Sequence, residues 1–323
     1  MSVRITSFGH ALGSVAVRNE TLGPRFGLSA AEVERRTGIR TRWYAPEGGT
    51  SDLVVEAAQR GFEQGGSPDE VECVIVATGT PDRRCPSCAS LVHQKLGTRR
   101  ALGFDVFAAC SGFVYALEMG WALMEARGYE CILVAGADTM SSVVDPEDRR
   151  TALLFGDGAG TCLLRRDAGR GGAEIVDVLC GLDSARAEDV VIPHGGSLSP
   201  IGTESDAQYT LRFASRRVAT DGVALMCQAV RSLLDRNGLA VSEVDLVVPH
   251  QANGRMLEAV ARRLALRDRQ MAANVDRVGN TSAASIPILL SELSREGRLQ
   301  GRVVLAAVGA GYTYGSALLD FEP

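Results

Sequence analysis

Hydrophobic and polar positions along this chain follow two alternating rhythms. Short runs of consecutive apolar, often β-branched residues are separated by longer stretches in which apolar positions recur every three or four residues. The runs "VECVIVAT" (Val71–Thr78), "CILVAGAD" (Cys131–Asp138), "VDLVVPH" (Val244–His250) and "RVVLAAVG" (Arg302–Gly309) predict buried strands. Helical spacing predicts helices over Ser51–Gly65, Ser111–Arg127, Gly222–Asn237, Arg255–Leu266 and Ser282–Glu296. Strand and helix alternate along the whole length, which predicts an α/β fold in layers.

The pattern also repeats. A helix, "SPDEV" and a strand near Ser67–Ala77 resemble a helix, "AVSEV" and a strand near Ala240–His250. Val71 matches Val244 at an offset of 173 residues, and Cys131 matches Val303 at an offset of 172. Shifted by the same amount, Cys110 falls in "GNTSAAS", again a turn entering a helix. Two strand–helix units at one offset predict a duplicated unit, residues 1–170 and 171–323, with a seam near Arg165–Gly172. Strand ends from both halves are then expected at a shared centre, where α/β folds place ligands.

Composition narrows the classes. Of 323 residues, 46% are hydrophobic and 23% charged, an ordinary globular balance. A net charge of −5 argues against nucleic acid as a partner. No apolar run approaches the ~18 residues of a membrane span. "MSVRITSFGH" does not read as a signal peptide, so the eight scattered cysteines are expected to be reduced thiols in the cytoplasm.

Chemistry concentrates at three strand ends. In "FDVFAACSGF" a strand-like run stops at Cys110 and a helix of small residues begins. A thiol at a helix N-terminus sits near partial positive charge, which favours thiolate. "VVPHQANGRM" puts His250 where a strand gives way to a loop, and "NVDRVGNTSAAS" puts Asn280 just before a helix. The three can converge as nucleophile, imidazole and amide donor. "GAGYTYGS" (Gly309–Ser316) follows the last strand, and its backbone, at Ala310, can supply an N–H opposite that of Cys110 to form an oxyanion hole.

These motifs resemble those of β-ketoacyl-acyl-carrier-protein synthase III, the initiating condensing enzyme of fatty-acid and polyketide synthesis. The resemblance covers nearly the full length. It rests on "RRTGIRTR" (Arg35–Arg42), "FDVFAACSGF", "DPEDRRTALLFGDGAG" (Asp145–Gly160), "PHQANGRM", "GNTSAAS" and "GAGYTYGSAL", in the family order. It implies a thiolase-like fold with layers α-β-α-β-α and a homodimer. It also implies that Cys110 carries the starter as a thioester, while His250 and Asn280 hydrogen-bond the thioester carbonyl of malonyl-acyl-carrier protein during decarboxylation. CoA and phosphopantetheine thioesters are then substrates, and no metal or other cofactor is implied.

For CoA, the resemblance implies contacts from Arg36 and Arg149 to the nucleotide end and from Asn253 to the pantetheine arm. Glu32 stands where many members have a tryptophan stacked on adenine, which points towards a carrier-bound acyl donor. Arg255, Arg262 and Arg263, on the helix after His250, are the implied dock for an acidic carrier protein. Cys227 replaces a lysine often found nearby, which thins that patch. Cys85 replaces a large aromatic that closes the acyl pocket across the dimer, so a starter longer or more branched than acetyl is expected.

Other motifs read as structural. Cys85-Pro-Ser-Cys88 lacks a second pair or a nearby histidine to complete a metal set. Gly156, Gly158 and Gly160 are expected in a tight turn, because a strand-like "TCLLRR" follows where a dinucleotide motif needs a helix. His10, His93 and His194 have no companion motif. "SLSPIGTESDAQYTLRFASRR" (Ser197–Arg217) matches the family poorly and is expected near the entrance. An alternative to condensation is acyl transfer from Cys110 to a hydroxyl or amine; relatives of that kind often lose the asparagine. A third reading, a non-catalytic partner subunit, fits poorly with the presence of Cys110.

Overall fold

The computed structural model describes residues 2–98, 101–166, 171–202, 209–213 and 217–321. Nine strands form one mixed sheet among these residues. They are β1 (Val3–Leu12), β2 (Cys73–Ala77), β3 (Leu102–Val106), β4 (Cys131–Thr139), β5 (Asp157–Arg166), β6 (Ala173–Leu182), β7 (Leu246–Pro249), β8 (Gly301–Gly309) and β9 (Thr313–Phe321). Their order across the sheet is β7, β8, β9, β6, β1, β5, β4, β2, β3. Every residue of β2 and β4 is buried, as continuous apolar runs in parallel interior strands demand.

The two ends of the sheet echo one another. β2 pairs parallel with β4, which pairs antiparallel with β5. At the other end β7 pairs parallel with β8, which pairs antiparallel with β9. The ends are joined where β1 meets β6 at only Arg4–Glu174 and Ile5–Ala173. Part of the expected seam, residues 167–170, lies outside the described residues.

The main helices are α1 (Ala30–Thr37), α2 (Thr50–Phe62), α3 (Cys88–Leu96), α4 (Gly112–Arg127), α5 (Val218–Arg236), α6 (Gly254–Leu264) and α7 (Ser285–Arg295). α4 and α7 each touch strands from both ends of the sheet. A helix apolar nearly all round belongs between layers, and α7 buries Ser285 through Ser291 without a break. α2 and α3 cover one end of the sheet from outside, α5 and α6 the other. The α4–α7 pair thus packs on both ends of the single sheet, with α2 and α3 outside one end and α5 and α6 outside the other: the thiolase-like layering.

Two expectations change. Gly158 and Gly160 lie inside β5 rather than in a turn. A Cβ at Gly160 would come within 2.5 Å of the Ile288 backbone N, so the small residues let α7 lie directly on the strand. The sequence reading also missed β1, β6 and β9, whose small or charged residues interrupt the apolar runs.

Candidate active site

Cys110 sits in a one-turn 3₁₀ segment, Ala109–Ser111, that runs into α4. Ala109 opens the turn with φ at 45°, a left-handed conformation that needs support from its surroundings. That support comes from the junction of β8 and β9. Ser111 Oγ donates to Thr313 Oγ1 at 2.7 Å, and Thr313 Oγ1 in turn donates to the Ala108 carbonyl at 2.9 Å. The end of β8 also passes so close that a Cβ at Gly309 would stand 2.8 Å from the Cys110 backbone N. Ala310 and Cys110 therefore face one space from adjoining loops.

His250 follows β7, whose last residue, Pro249, is tolerated because β7 is an edge strand. The His250 N–H donates to the Ala306 carbonyl on β8 at 2.7 Å, fixing the residue at the strand end. Its ring is only 2% exposed, and Nδ1 meets Ser285 Oγ at 2.8 Å. Burial lowers its pKa to about 4, so the imidazole is neutral at neutral pH. Nε2 is the ring nitrogen left for a molecule in the cavity.

Asn280 is buried in the turn before α7. Its Oδ1 accepts from the Ser282 N–H at 2.9 Å, which assigns the amide orientation. The Nδ2 group is then the free end, a donor. Cys110 Sγ lies 3.5 Å from Ser282 Oγ.

Cys110, His250, Asn280, Asn253 and Ala310 line a single cavity of about 870 Å³. Its outer wall is apolar, with Leu154, Phe155, Ile192, Leu211, Phe213 and Met256 among the lining. Leu211 and Phe213 come from the segment expected near the entrance; its residues 203–208 and 214–216 lie outside the described residues. Asn253 caps α6, its Oδ1 accepting from the Met256 N–H at 3.0 Å.

The Cys110 thiol is not the ready thiolate that a helix start suggests. Burial pushes it up to about 12, against the opposing pull of the Ser282 hydroxyl.

The remaining expected residues lie outside this lining. Arg36 and Arg149 are exposed; Arg150, the next residue, reaches the cavity instead, gripped by Asp148 at 2.9–3.1 Å. Glu32 closes a capping box with Ser29 at the start of α1, which gives that carboxylate a local structural task. Cys85 is exposed and Cys88 is buried at the start of α3; both are free thiols. Arg255 donates to the Arg35 carbonyl at 2.5–3.0 Å, while Arg262 and Arg263 are exposed further along α6. Among the described residues no group of three His, Cys, Asp or Glu side chains is placed to hold a metal ion. No helix among them is long and apolar enough to cross a membrane.

Ser282, Ser285 and Arg150 were missed as site residues. The two serines lie within "GNTSAAS", the motif that pointed to Asn280, and Arg150 lies within "DPEDRR".

Comparison with known proteins places this geometry. Two family profiles match: 3-oxoacyl-(acyl-carrier-protein) synthase III over residues 104–184, and the C-terminal part of the same family over residues 234–321. A beta-ketoacyl-(acyl-carrier-protein) synthase III from Streptomyces coelicolor is 39% identical, covering 98% of this chain and 96% of the relative. The crystal structure of 3-oxoacyl-(acyl carrier protein) synthase III, FabH, from Pseudomonas aeruginosa is 35% identical, covers 100% and 99% of the two chains and has a TM-score of 0.91. The priming beta-ketosynthase from the R1128 polyketide biosynthetic pathway has the same TM-score at 29% identity, with 99% and 96% covered. With likeness of this extent along its whole length, the chain belongs to the β-ketoacyl-acyl-carrier-protein synthase III family of transferase-class condensing enzymes.

Proposed function

We propose that this enzyme joins a starter other than plain acetyl to malonyl-acyl-carrier protein by decarboxylative Claisen condensation, through a thioester on Cys110. The observation that carries the reading is the shared cavity in which one thiol faces two polar side chains with donor ends to spare. Cys110 attacks the acyl thioester and the pantetheine sulfur leaves. Malonyl-carrier protein then enters with its thioester carbonyl against His250 Nε2–H and Asn280 Nδ2. Loss of CO₂ makes an enolate on that carbonyl, so donors aimed there stabilise charge that develops only in the transition state. The enolate carbon attacks the acyl-cysteine, and the backbone N–H groups of Cys110 and Ala310 hold the tetrahedral oxyanion.

His250 serves this role in one tautomer. For Nε2 to donate, Nδ1 must accept, so Ser285 Oγ–H is the donor in the 2.8 Å contact. The low pKa caused by burial supports a neutral ring.

The acyl donor arrives on CoA or on a carrier protein. Arg150 and Asn253 in the cavity lining support phosphopantetheine binding, to which the family resemblance adds Arg36 and Arg149 for the nucleotide end; Glu32 weakens the case for an adenine platform. Arg255, Arg262 and Arg263 form the dock for an acidic carrier. A homodimer is the working assembly: Phe107, which lines the cavity, is 79% exposed in the single chain, and Leu182 is 62% exposed. In that dimer, Cys85 in place of an aromatic leaves room for a larger starter.

The test is intact-protein mass spectrometry after exposure to mixed acyl-CoAs, followed by addition of malonyl-carrier protein. The expected result is a branched or longer acyl mass on Cys110 and CO₂ release on the second addition. A chain that loads only acetyl removes the starter proposal; a chain that loads nothing and releases no CO₂ removes the condensing mechanism.

A further inference from the structure

Asp138, at the end of β4, is a fully buried carboxylate on which donors from two distant loops converge. Its Oδ1 accepts from Thr78 Oγ1 at 3.1 Å, Gly79 N at 2.7 Å and Thr80 Oγ1 at 3.0 Å, all in the loop after β2. Its Oδ2 accepts from Ala283 N at 3.0 Å, in the turn before α7. An ionised carboxylate only accepts, so four donors suit it; an amide would turn a donor of its own against one of the two sets. Strand and turn are in direct contact here, since a Cβ at Gly136 would run into the Ala283 carbonyl O. Ser282, the preceding residue, has a left-handed φ of 52°, and its N–H donates to Asn280 Oδ1 at 2.9 Å. Successive N–H groups of one turn are thus taken by Asn280 and by Asp138.

The sequence repeat gives this contact a counterpart. At the offsets of 172 and 173 residues, Asp138 corresponds to Ala310 and Ala283 to Cys110. Ala310 and Cys110 are the two residues whose backbone N–H groups hold the oxyanion in the proposed reaction. That frame is left open to the cavity, with both residues in its lining. The matching frame is closed by the chain's own carboxylate, which accepts the Ala283 N–H.

Resting on the condensation reading above, we infer that Asp138 is a positioning residue for decarboxylation: it locks the turn before α7 so that Asn280 presents its Nδ2 donor to the malonyl thioester carbonyl. Ala283 is 1% exposed, so without the carboxylate its N–H is buried with no acceptor, and the turn must shift to find one. The Asn280 amide moves with the turn, because its Oδ1 is tied to the neighbouring N–H. The Cys110 turn is held by a separate set of hydrogen bonds, from Ser111 to Thr313 and from Thr313 to the Ala108 carbonyl. Loss of Asp138 therefore reaches the decarboxylating donor and spares the nucleophile.

The test uses the full chain and whichever of acetyl-, butyryl- and isobutyryl-CoA loads Cys110 best by intact mass, with CO₂ release read from malonyl-carrier protein. D138N is expected to lower kcat for CO₂ release about 10²-fold, the scale of a misplaced catalytic group, with KM for malonyl-carrier protein and the loading rate each within about 3-fold of native. T78V removes one donor from Asp138 Oδ1, and with it the acceptor of the Thr80 N–H. It should give the same split at about 3- to 10-fold, and it reads the proposal even if D138N fails to fold. A double-mutant cycle supplies the readout that a merely structural role would not move. Because Asp138 acts through Asn280, adding D138N or T78V to N280D should lower CO₂ release by no more than about 3-fold, whereas independent effects would multiply. Native CO₂ release in either single variant, equal falls in loading and CO₂ release, or multiplying effects in the cycle overturn the positioning role and leave the condensation reading intact. A native chain that forms no Cys110 adduct and releases no CO₂ overturns that reading, and the positioning role with it.

Discussion

The turns Ala109–Ser111 and Ser282–Ala284 are the same device used twice. Each is a short 3₁₀ segment running directly into a central helix, and each opens on a non-glycine residue with positive φ, 45° at Ala109 and 52° at Ser282. They touch one another at the centre of the molecule. At the offset of 173 residues Cys110 corresponds to Ala283. The first turn therefore presents a thiol where the second presents a methyl group. The second instead surrounds that position with Asn280, Ser282 and Ser285, whose partners are Ser282 N–H, Cys110 and His250. Two like frames thus face each other, and in the proposed reaction the side chains placed on them divide the labour: a thiol from one, polar groups from the other.

That division can be broken one side at a time. C110A is expected to abolish loading, with turnover falling roughly 10⁴-fold or more and no acyl mass on the protein. N280D keeps the oxygen that holds the second turn but removes the donor. With H250A, it is expected to reduce CO₂ release about 10²–10³-fold while Cys110 still loads. Equal loss of loading and condensation in N280D would show that the two turns do not divide the reaction in this way.

The histidine sharpens the comparison through pH. Its folded-state pKa, about 4, lies below the ordinary 6.5, so the unfolded chain binds this proton more readily between those values. His250 therefore costs no stability above pH 6.5, and its penalty grows as pH falls, reaching roughly 3 kcal/mol below pH 4. Asp138 and Asp157, both raised by burial, act in the opposite sense. The expected outcome is a shallower fall of Tm between pH 7 and pH 5 in H250Q than in the native chain.

Smaller effects test the frames. G309A puts a methyl group 2.8 Å from the Cys110 N and 2.9 Å from the Ala108 carbonyl. It should cost about 1–3 kcal/mol in chemical denaturation and slow loading, because the crowded turn must shift. R262E, on the exposed face of α6, should raise KM for malonyl-carrier protein roughly 3- to 10-fold without changing loading from free CoA. That effect should shrink as salt is added.

Much of the core was legible because its signal is local. β2, β4, β7 and β8 appear as unbroken apolar runs, and their observed ends fall within two residues of the expected ones. α5 begins four residues before the expected Gly222, because Val218 and Ala219 add a buttress at the cavity that no periodic pattern announces. β1 and β9 were illegible for a different reason. Their packing partners, α2 and α7 for β1 and α4 and α5 for β9, lie far away in sequence, and Gly9 and Gly315 leave room for α2 and α4 respectively.

By itself, the sequence determined the α/β alternation, the repeat at about 173 residues and the identity of the thiol, imidazole and carboxamide, all written in short-range spacing and residue type. Only the tertiary structure decided that the Cys110 thiol is desolvated, that Ser285 engages His250, that Ser282 meets Cys110, and that Arg150 rather than Arg149 reaches the cavity. Proton affinity and hydrogen-bond partners depend on which groups from distant segments exclude water together. That is a property of the packed interior, and no local spacing encodes it.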